Sequence, residues 1–333
     1  MSEVKKLAKI IGIGSYLPRK VLSNADLEKM VDTSNEWIMS RTGIKERRLA
    51  EDDEYTSDMG YNAARKAIKD ANLENNDIDC ILVATLTPDY IFPSTACLIQ
   101  KKLNIENIPA FDLQAACSGY IYSLLIAKSF VESGTYKNVL IVASEKLSSV
   151  VNYKDRGTCV LFGDGAAAGV VSLKGKGFEI QGISLGADGN QADLLSLPAG
   201  GSRHPACEET VKKQMHYLQM AGNEVFKHAV RRMENACKDC LNKVGMKETD
   251  ISYLIPHQAN LRIIDAIAKR FRHLSDDRVY KDVVIKYGNT SASSVGIALV
   301  ELKNKNQIQK GENILLTAFG AGLTWAASIL TQK

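Results

Sequence analysis

The sequence predicts an α/β fold made of two similar halves, and two observations support this. Strand-like and helix-like segments alternate along the 333 residues, which is typical of an α/β protein. A faint repeat is also present: residues 77–83 recur as residues 250–256, and residues 138–143 recur as residues 313–318. The offsets between the copies are 173 (250 − 77) and 175 (313 − 138) residues. Short apolar strands also match by chance, but nearly equal offsets favour a duplicated chain.

The composition is that of a soluble globular protein, with 45% hydrophobic and 24% charged residues. Residues 1–9 contain no long apolar segment, and no run of about 18 apolar residues occurs anywhere. We therefore expect neither a secretory signal nor a membrane span, and a cytoplasmic location. The net charge of +4 is too small to indicate nucleic-acid binding. Seven cysteines, an odd number, argue against a disulfide framework.

One cysteine pair has the spacing of a metal ligand set. Cys237 and Cys240 form a C-x-x-C motif, but no second cysteine or histidine pair stands at zinc-finger spacing. Both lie in a helix-like run over residues 225–244, and in the repeat they correspond to Ile68 and Ala71 of the first half. We interpret them as helix packing and predict no metal site.

Cys117 lies where a strand-like segment, residues 108–113, gives way to an apolar helix that continues to Gly134. The unpaired N–H groups and the dipole of a helix N-terminus favour a thiolate, and the small neighbouring residues leave room for a substrate carbonyl. A cysteine is also commonly a small core residue. This position alone therefore leaves both interpretations open.

Three further segments could contribute to a site with this cysteine. His257 follows the strand-like residues 254–256, and strand ends are where α/β folds place their chemistry. Asn289 lies in a turn of small residues after the strand-like residues 283–285. The glycine turn at residues 318–322 could aim backbone N–H groups at a ligand. A structural histidine, a helix cap and a plain turn are the alternatives.

In this order and spacing, the motifs resemble those of the thiolase-fold condensing enzymes, and within them the β-ketoacyl-acyl carrier protein synthase III family. The resemblance extends over nearly the whole chain. The matching segments are residues 34–44, 92–94, 115–119, 162–166, 220–226, 257–260, 288–291 and the C-terminal glycine turn.

The resemblance implies a duplicated five-layer α-β-α-β-α fold, a homodimer and a catalytic triad. The half at residues 1–175 would carry the nucleophile Cys117, and the half at residues 176–333 would carry His257 and Asn289. The resemblance also distinguishes this family from other thiolase-fold enzymes. Elongating condensing enzymes would have a second histidine in place of Asn289, and thiolases would have another catalytic cysteine near the C-terminus, which this chain lacks.

The implied activity is an acyltransferase reaction that initiates type II fatty acid synthesis. Cys117 would take a short acyl group, with acetyl expected, from acyl-CoA, while the backbone N–H groups of Cys117 and Ala321 hold the oxyanion. Many relatives have glycine in place of Ala321. Malonyl-acyl carrier protein would then lose CO₂, and neutral His257 and Asn289 would stabilise the enolate that attacks the acyl group. Acyl-CoA is a substrate here, and no cofactor is expected.

The same resemblance assigns residues to coenzyme A. Trp37 and Arg156 would sandwich the adenine, Arg41 would contact its phosphates, and Gly222 and Asn223 would lie along the pantetheine channel. Stacking of a purine between an indole and a guanidinium is physically reasonable. Without the family context, Trp37 would be interpreted as a half-buried anchor.

The partners expected are acyl-CoA, an acidic acyl carrier protein and a second copy of the chain, with neither nucleic acid nor membrane. Phe92 would reach across the dimer to floor the acyl pocket, and its bulk favours a short primer. Basic clusters that include Lys227, Arg262, Lys269 and Arg270 would form the docking patch for the carrier protein. Such clusters are otherwise solvated helix faces.

Two alternatives remain open at this point. A sister condensing enzyme could use a branched primer or a secondary-metabolite intermediate. The chain could instead be a non-catalytic thiolase-fold partner protein, although the presence of Cys117, His257 and Asn289 argues against this.

Overall fold

The computed structural model describes residues 7–333. Residues 1–6, most of the segment on which the absence of a secretory signal was predicted, lie outside the described residues. Within residues 7–333, no helix combines the length and the apolar character needed to cross a membrane.

The strands within this range follow in chain order. They are β1 (Lys9–Tyr16), β2 (Lys20–Ser23), β3 (Glu46–Leu49), β4 (Cys80–Ala84), β5 (Ala110–Leu113), β6 (Asn138–Glu145), β7 (Gly165–Ser172), β8 (Phe178–Ala187), β9 (Leu195–Ser196), β10 (Gln219–Met220), β11 (Tyr253–Pro256), β12 (Asn313–Gly320) and β13 (Thr324–Gln332).

The α-helices alternate with these strands. They are α1 (Asn24–Glu28), α2 (Asn35–Thr42), α3 (Thr56–Asp70), α4 (Thr95–Leu103), α5 (Gly119–Glu132), α6 (Glu208–Lys212), α7 (Gly222–Val244), α8 (Leu261–Ala268), α9 (Asp282–Tyr287) and α10 (Ser294–Asn304).

Nine strands form one mixed sheet in the order β11-β12-β13-β8-β1-β7-β6-β4-β5. Outward from its centre, the first half runs β1-β7-β6-β4 and the second runs β8-β13-β12-β11, so the two halves have the same strand order. The halves meet where β1 pairs with β8, through Lys9 with Glu179 and Ile10 with Phe178. Residue 175, the predicted end of the first half, lies in the turn between β7 and β8.

The helices form layers on both sides of these strands. Helices α3 and α4 cover the outer face of the first half, and α7 and α8 cover the outer face of the second. Helices α5 and α10 lie between the halves and contact strands of both. This arrangement gives the five α-β-α-β-α layers and confirms the predicted fold class.

Helix composition follows from these positions. The outer helix α7 buries one stripe, which includes Ala229, Met233, Cys237 and Cys240, and exposes its other face. The inner helix α10 is buried on nearly all sides, as expected for a helix packed between two sheets. Cys237 and Cys240 are therefore core residues of the α7 stripe.

The structure contradicts one predicted element. Residues 283–285, predicted as a strand, belong to helix α9, which ends at Gly288 with a φ of +72°. Val283 and Val284 are both buried, because this short helix is enclosed by the layers around it. An apolar run of three β-branched residues has the composition of a strand, and tertiary packing overrides that preference.

Candidate active site

A cavity of about 680 Å³ lies at the carboxyl ends of the strands and brings most of the predicted site residues together. Cys117, His257 and Asn289 all line it, although they are far apart in the sequence. The residues predicted to bind coenzyme A that also line the cavity are Trp37, Arg41, Gly222 and Asn223. The cavity therefore contains both the predicted triad and most of the residues predicted to bind coenzyme A.

Cys117 lies in a tight 3₁₀ turn, residues 116–118, immediately before α5. Ala116 has a φ of +48°, an unusual backbone conformation for a residue with a Cβ. Burial raises the pKa of the Cys117 thiol to about 12; a hydrogen bond from Ser291 opposes this rise, and the charge of Glu145 adds to it. The resting residue is therefore a thiol, contrary to the expected thiolate, because the cost of burying a charge outweighs the favourable N-terminal position.

The glycine turn packs directly against this nucleophile turn. A Cβ placed on Gly320 would lie 2.5 Å from the backbone nitrogen of Cys117, so only glycine allows this approach. Thr324 Oγ1 is 2.8 Å from the carbonyl oxygen of Ala115 and 3.1 Å from that of Ala321. The hydroxyl has one proton, and its shorter contact, with Ala115, joins the two turns. The role of Thr324 was missed from the sequence, where it follows the glycine motif without any distinguishing pattern.

His257 is buried beside Ser294 at the start of α10. Burial lowers the pKa of His257 to about 3, so the imidazole is neutral. Its Nδ1 is 2.7 Å from Ser294 Oγ, which also accepts a hydrogen bond of 3.2 Å from the backbone N–H of Gln258. With the Ser294 hydroxyl donating to Nδ1, the imidazole carries its proton on Nε2 and acts as a donor.

Asn289 is held by its backbone and by one side-chain oxygen. Its N–H donates to Leu161 O at 2.8 Å, and its carbonyl accepts from the N–H of Gly163 at 3.0 Å. Asn289 Oδ1 accepts from the N–H of Ser291 at 2.9 Å. Because the oxygen is occupied, the Nδ2 amide is the end available to donate to a ligand. His257 and Asn289 together provide two neutral donors.

A buried carboxylate that the sequence analysis did not single out lies behind Cys117. Glu145, at the carboxyl end of β6, is fully buried. It contacts Ser291 Oγ at 3.0 Å, and Ser291 Oγ lies 3.4 Å from Cys117 Sγ. A single acid at the carboxyl end of a buried, largely apolar strand is a signal that could have identified it.

At the outer end of the cavity, Trp37 and Arg41 lie on α2, and Gly222 and Asn223 begin α7. The guanidinium carbon of Arg156 lies 5.1 Å from the centroid of the Trp37 ring. A base stacked between two planes needs roughly 7 Å, two contacts of about 3.5 Å.

Arg156 is therefore too close to Trp37 for the adenine to fit between them. It is held there by Asp32, whose carbonyl oxygen lies 3.0 Å from Arg156 Nη1. A sandwich of adenine requires the Arg156 side chain to move away from the indole.

Among the predicted docking residues, Lys227 and Arg262 line the cavity. Arg262 stacks on the ring of Phe226 at 5.6 Å, and Lys227 pairs with Glu224 at 2.7 Å. Lys269 caps the far end of α8, and Arg270 forms an ion pair with Glu248 at 2.7 Å. The structure thus brings two of these four cations to the cavity.

Phe92 lies on the surface rather than in the cavity of its own chain. It is 85% exposed, and its neighbours Tyr90 and Ile91 are 60% and 82% exposed. Large exposed apolar side chains in one segment are typical of an interaction surface.

Comparisons with known proteins show the family of this chain. A family model described as 3-oxoacyl-[acyl-carrier-protein (ACP)] synthase III matches residues 111–189, and its C-terminal counterpart matches residues 241–332. A beta-ketoacyl-[acyl-carrier-protein] synthase III of Chlamydia muridarum is 59% identical over 326 residues, covering 98% of this chain and 99% of that protein.

Solved structures give the same picture. The crystal structure of 3-oxoacyl-[acyl-carrier-protein] synthase III from Aquifex aeolicus VF5 is similar with a TM-score of 0.88 and 48% identity, covering 97% of this chain and 99% of that chain. The priming beta-ketosynthase from the R1128 polyketide biosynthetic pathway is similar with a TM-score of 0.90 and 34% identity, covering 99% of this chain and 97% of that chain.

Proposed function

The chain belongs to the 3-oxoacyl-[acyl-carrier-protein] synthase III family, and we propose that Cys117, His257 and Asn289 carry its reaction. The enzyme initiates fatty acid synthesis by condensing an acyl-CoA with malonyl-acyl carrier protein. The observation that supports the site assignment most directly is the shared cavity of Cys117, His257 and Asn289.

In the first half-reaction, the Cys117 sulfur attacks the thioester carbon of acyl-CoA. Negative charge develops on the thioester oxygen, and backbone N–H groups of Cys117 and Ala321 stabilise it. The close packing of Gly320 on Cys117 and the contact of Thr324 with the Ala115 carbonyl support this pairing of turns. A fixed oxyanion donor contributes about 3 kcal/mol. Coenzyme A leaves, and Cys117 holds the acyl group as a thioester.

In the second half-reaction, malonyl-acyl carrier protein loses CO₂ and becomes an enolate. His257 Nε2–H and Asn289 Nδ2–H donate hydrogen bonds to the enolate oxygen, and the enolate carbon attacks the acyl carbon on Cys117. Because His257 is neutral, it acts as a donor and no general base is needed for the loss of CO₂. The product is a 3-oxoacyl-acyl carrier protein.

Separating the two half-reactions tests this assignment. Wild type incubated with acetyl-CoA should gain one acetyl group at Cys117, and Cys117→Ala should gain none. His257→Ala and Asn289→Ala should become acetylated but release CO₂ from malonyl-acyl carrier protein about 100-fold more slowly or worse. Radiolabelled acetyl incorporation and CO₂ release measure the two steps. If both variants lost acetylation as completely as Cys117→Ala does, the division of roles would be wrong.

The outer cavity would bind coenzyme A and receive the carrier protein. In this proposal Trp37 and Arg156 enclose the adenine after Arg156 has moved, Arg41 contacts the phosphates, and Gly222 and Asn223 border the pantetheine. An acidic carrier protein would be attracted by Lys227, Arg262, Lys269 and Arg270. Of these, Lys227 and Arg262 are the best placed because they line the cavity.

The active form would be a homodimer that works in the cytoplasm without a cofactor. The exposed segment at Tyr90, Ile91 and Phe92 supports a second copy as partner, with Phe92 flooring the acyl pocket of that copy and limiting primer length. The two halves, residues 1–175 and 176–333, would each contribute one part of the site. The similarity to a priming polyketide ketosynthase keeps an unusual primer as the second candidate.

A further inference from the structure

The buried carboxylate of Glu145 has an uneven set of hydrogen bonds. Its Oε2 oxygen accepts from Thr85 Oγ1 at 3.3 Å, from the N–H of Leu86 at 3.0 Å and from Thr87 Oγ1 at 2.8 Å. Its Oε1 oxygen has one contact, with Ser291 Oγ at 3.0 Å. A proton that arrives at this carboxylate therefore binds to Oε1, on the side of Ser291.

Ser291 lies between Glu145 and Cys117. Its Oγ is 3.0 Å from Glu145 Oε1 and 3.4 Å from Cys117 Sγ, and all three side chains are buried. The backbone of Ser291 is fixed at a φ of +52° and donates its N–H to Asn289 Oδ1 at 2.9 Å. The hydroxyl has one proton, so it can donate to the carboxylate or to the sulfur, but not to both.

This geometry couples the protonation of the two outer groups. When Glu145 is charged, Ser291 donates to it and accepts from the Cys117 thiol. When Glu145 is protonated, it donates to Ser291, which then donates to the Cys117 thiolate. The two states differ in the positions of two protons: one moves between Cys117 and Ser291, and the other between Ser291 and Glu145. The total charge is the same in both states.

The inference rests on the proposed function of Cys117 as the nucleophile. We propose that Glu145 accepts the proton of Cys117 through the Ser291 hydroxyl when Cys117 attacks acyl-CoA. Burial supports this role by raising the pKa of Glu145 to about 7, where a carboxylate exchanges protons readily near neutral pH.

The proton transfers balance over the cycle. The thiol proton moves to Ser291 Oγ as the Ser291 proton moves to Glu145 Oε1. The Cys117 sulfur bonds to the acyl carbon, the bond from that carbon to the coenzyme A sulfur breaks, and coenzyme A leaves as a thiolate that solvent protonates. Glu145 keeps its proton while Cys117 is acylated. When the enolate displaces Cys117 as a thiolate, the proton returns to the sulfur through Ser291.

His257 is a poor alternative acceptor for this proton. Its imidazole is neutral with a pKa lowered to about 3 by burial, so an imidazolium would be strongly disfavoured. Its Nδ1 is also occupied by Ser294 at 2.7 Å. A buried thiol with a raised pKa still needs an acceptor, and Glu145 is the carboxylate whose charge reaches it.

Other charged groups near this end of β6 have partners of their own. Asp164 accepts from Ser148 Oγ at 2.6 Å. Lys146 Nζ donates to backbone carbonyls in the 51–54 loop. Asp89 accepts hydrogen bonds at the start of α3. An inflection of the acylation rate near neutral pH is therefore assigned to Glu145.

The test is the pH dependence of single-turnover acetylation of Cys117. The wild-type rate should fall below about pH 7, because a Glu145 that is already protonated cannot accept a proton. Glu145→Gln keeps a side-chain oxygen for the three donors at the Oε2 position, but its amide cannot accept the thiol proton. Acetylation of Cys117 in this variant should be about 100-fold slower at pH 7. Its rate should rise with pH as the thiol loses its proton to solvent.

Two further variants separate a relay from a structural role. Ser291→Ala should also be slower and lose the inflection, and the double variant with Glu145→Gln should be no slower than the slower single variant, since both break one path. Asp164→Asn removes the charge of another buried carboxylate and should keep the inflection. Glu145→Gln should keep the wild-type rate of malonyl decarboxylation, which depends on His257 and Asn289.

The relay would be wrong if Glu145→Gln retained the wild-type acetylation rate and inflection. It would also be wrong if this variant lost malonyl decarboxylation as fully as acetylation, or if the losses in the double variant were additive. A wild-type protein that is not acetylated at Cys117 would overturn the proposed function, and the relay with it.

Discussion

The two halves contain matching turns with different chemical roles. In the first half, residues 116–118 form a 3₁₀ turn before α5, and in the second, residues 291–293 form one before α10. Ala116 and Ser291 occupy equivalent positions, 175 residues apart, and both have a positive φ, +48° and +52°. In the proposed reaction, the first turn carries the sulfur that reacts, whereas the second carries groups that hold or orient the reacting atoms.

The strand ends that face these turns differ in the same way. Strand β6 ends at Glu145, which contacts the turn of the second half through Ser291. Strand β12 ends at Gly320, 175 residues later, and contacts the turn of the first half at Cys117 N. A carboxylate stands where the proposed relay stores a proton, and a glycine stands where the backbone of the nucleophile turn approaches closely. The same backbone arrangement thus carries side chains of different size and charge in the two halves, which fits the two roles proposed for them.

Among the substitutions that test this comparison, Gly320→Ala is expected to slow the reaction most. The added Cβ would lie 2.5 Å from Cys117 N, against backbone that cannot yield without shifting the nucleophile turn. We expect acetylation of Cys117 to slow by about 100-fold to 1000-fold, the range for a lost oxyanion donor. Single-turnover acetylation measures it. The same substitution at Gly201, in open space on a surface loop, is the control, and equal rates in both variants would contradict the importance of the close approach.

A smaller effect is expected from Ser294→Ala in the second half. Without the Ser294 hydroxyl at Nδ1, the His257 imidazole loses the contact that selects the Nε2–H form. We expect malonyl decarboxylation to slow by about tenfold or more while acetylation changes little. Wild-type decarboxylation should show no histidine inflection between about pH 5 and 8, because the pKa of His257 is lowered to about 3. An inflection near the ordinary pKa of histidine, lost in His257→Ala, would contradict the neutral-donor role.

The smallest effect is expected from Thr324→Val, which removes the hydroxyl between the two turns of the oxyanion site but keeps the side-chain shape. Thr324 Oγ1 contacts the carbonyls of Ala115 and Ala321. A lost hydrogen bond of about 1 kcal/mol would slow acetylation by roughly fivefold. Thr324→Ser, which restores the hydroxyl, should recover most of the rate. Recovery by serine is the decisive measurement, since a purely steric role would not be rescued by it.

Much of the architecture followed from the sequence because it depends on patterns that a chain displays directly. The repeat offsets anticipated matching strands, and apolar periodicity located α5 and α7 within a few residues. Cys117, His257 and Asn289 were predicted as a triad because their motifs, each weak alone, resemble those of one family in order and spacing. The geometry around them was harder to anticipate.

The missed features depend on contacts between distant segments. Glu145 and Ser291 become a pair only when β6 of the first half meets the turn of the second. The protonated state of Cys117 follows from its burial, which a local motif does not encode. Residues 283–285 were wrongly predicted as a strand, because their enclosure in the fold decides between two conformations that the composition allows.

The central layer has a consequence for how the molecule folds. Helices α5 and α10 belong to one hydrophobic cluster with strands of both halves, including Leu124, Val139, Ile255 and Ile314. A chain cut between the halves would leave each with an apolar helix that has sheet on one side and water on the other. Because the buried surface of either half is completed by its twin, the duplicated units are expected to unfold together in a single cooperative transition.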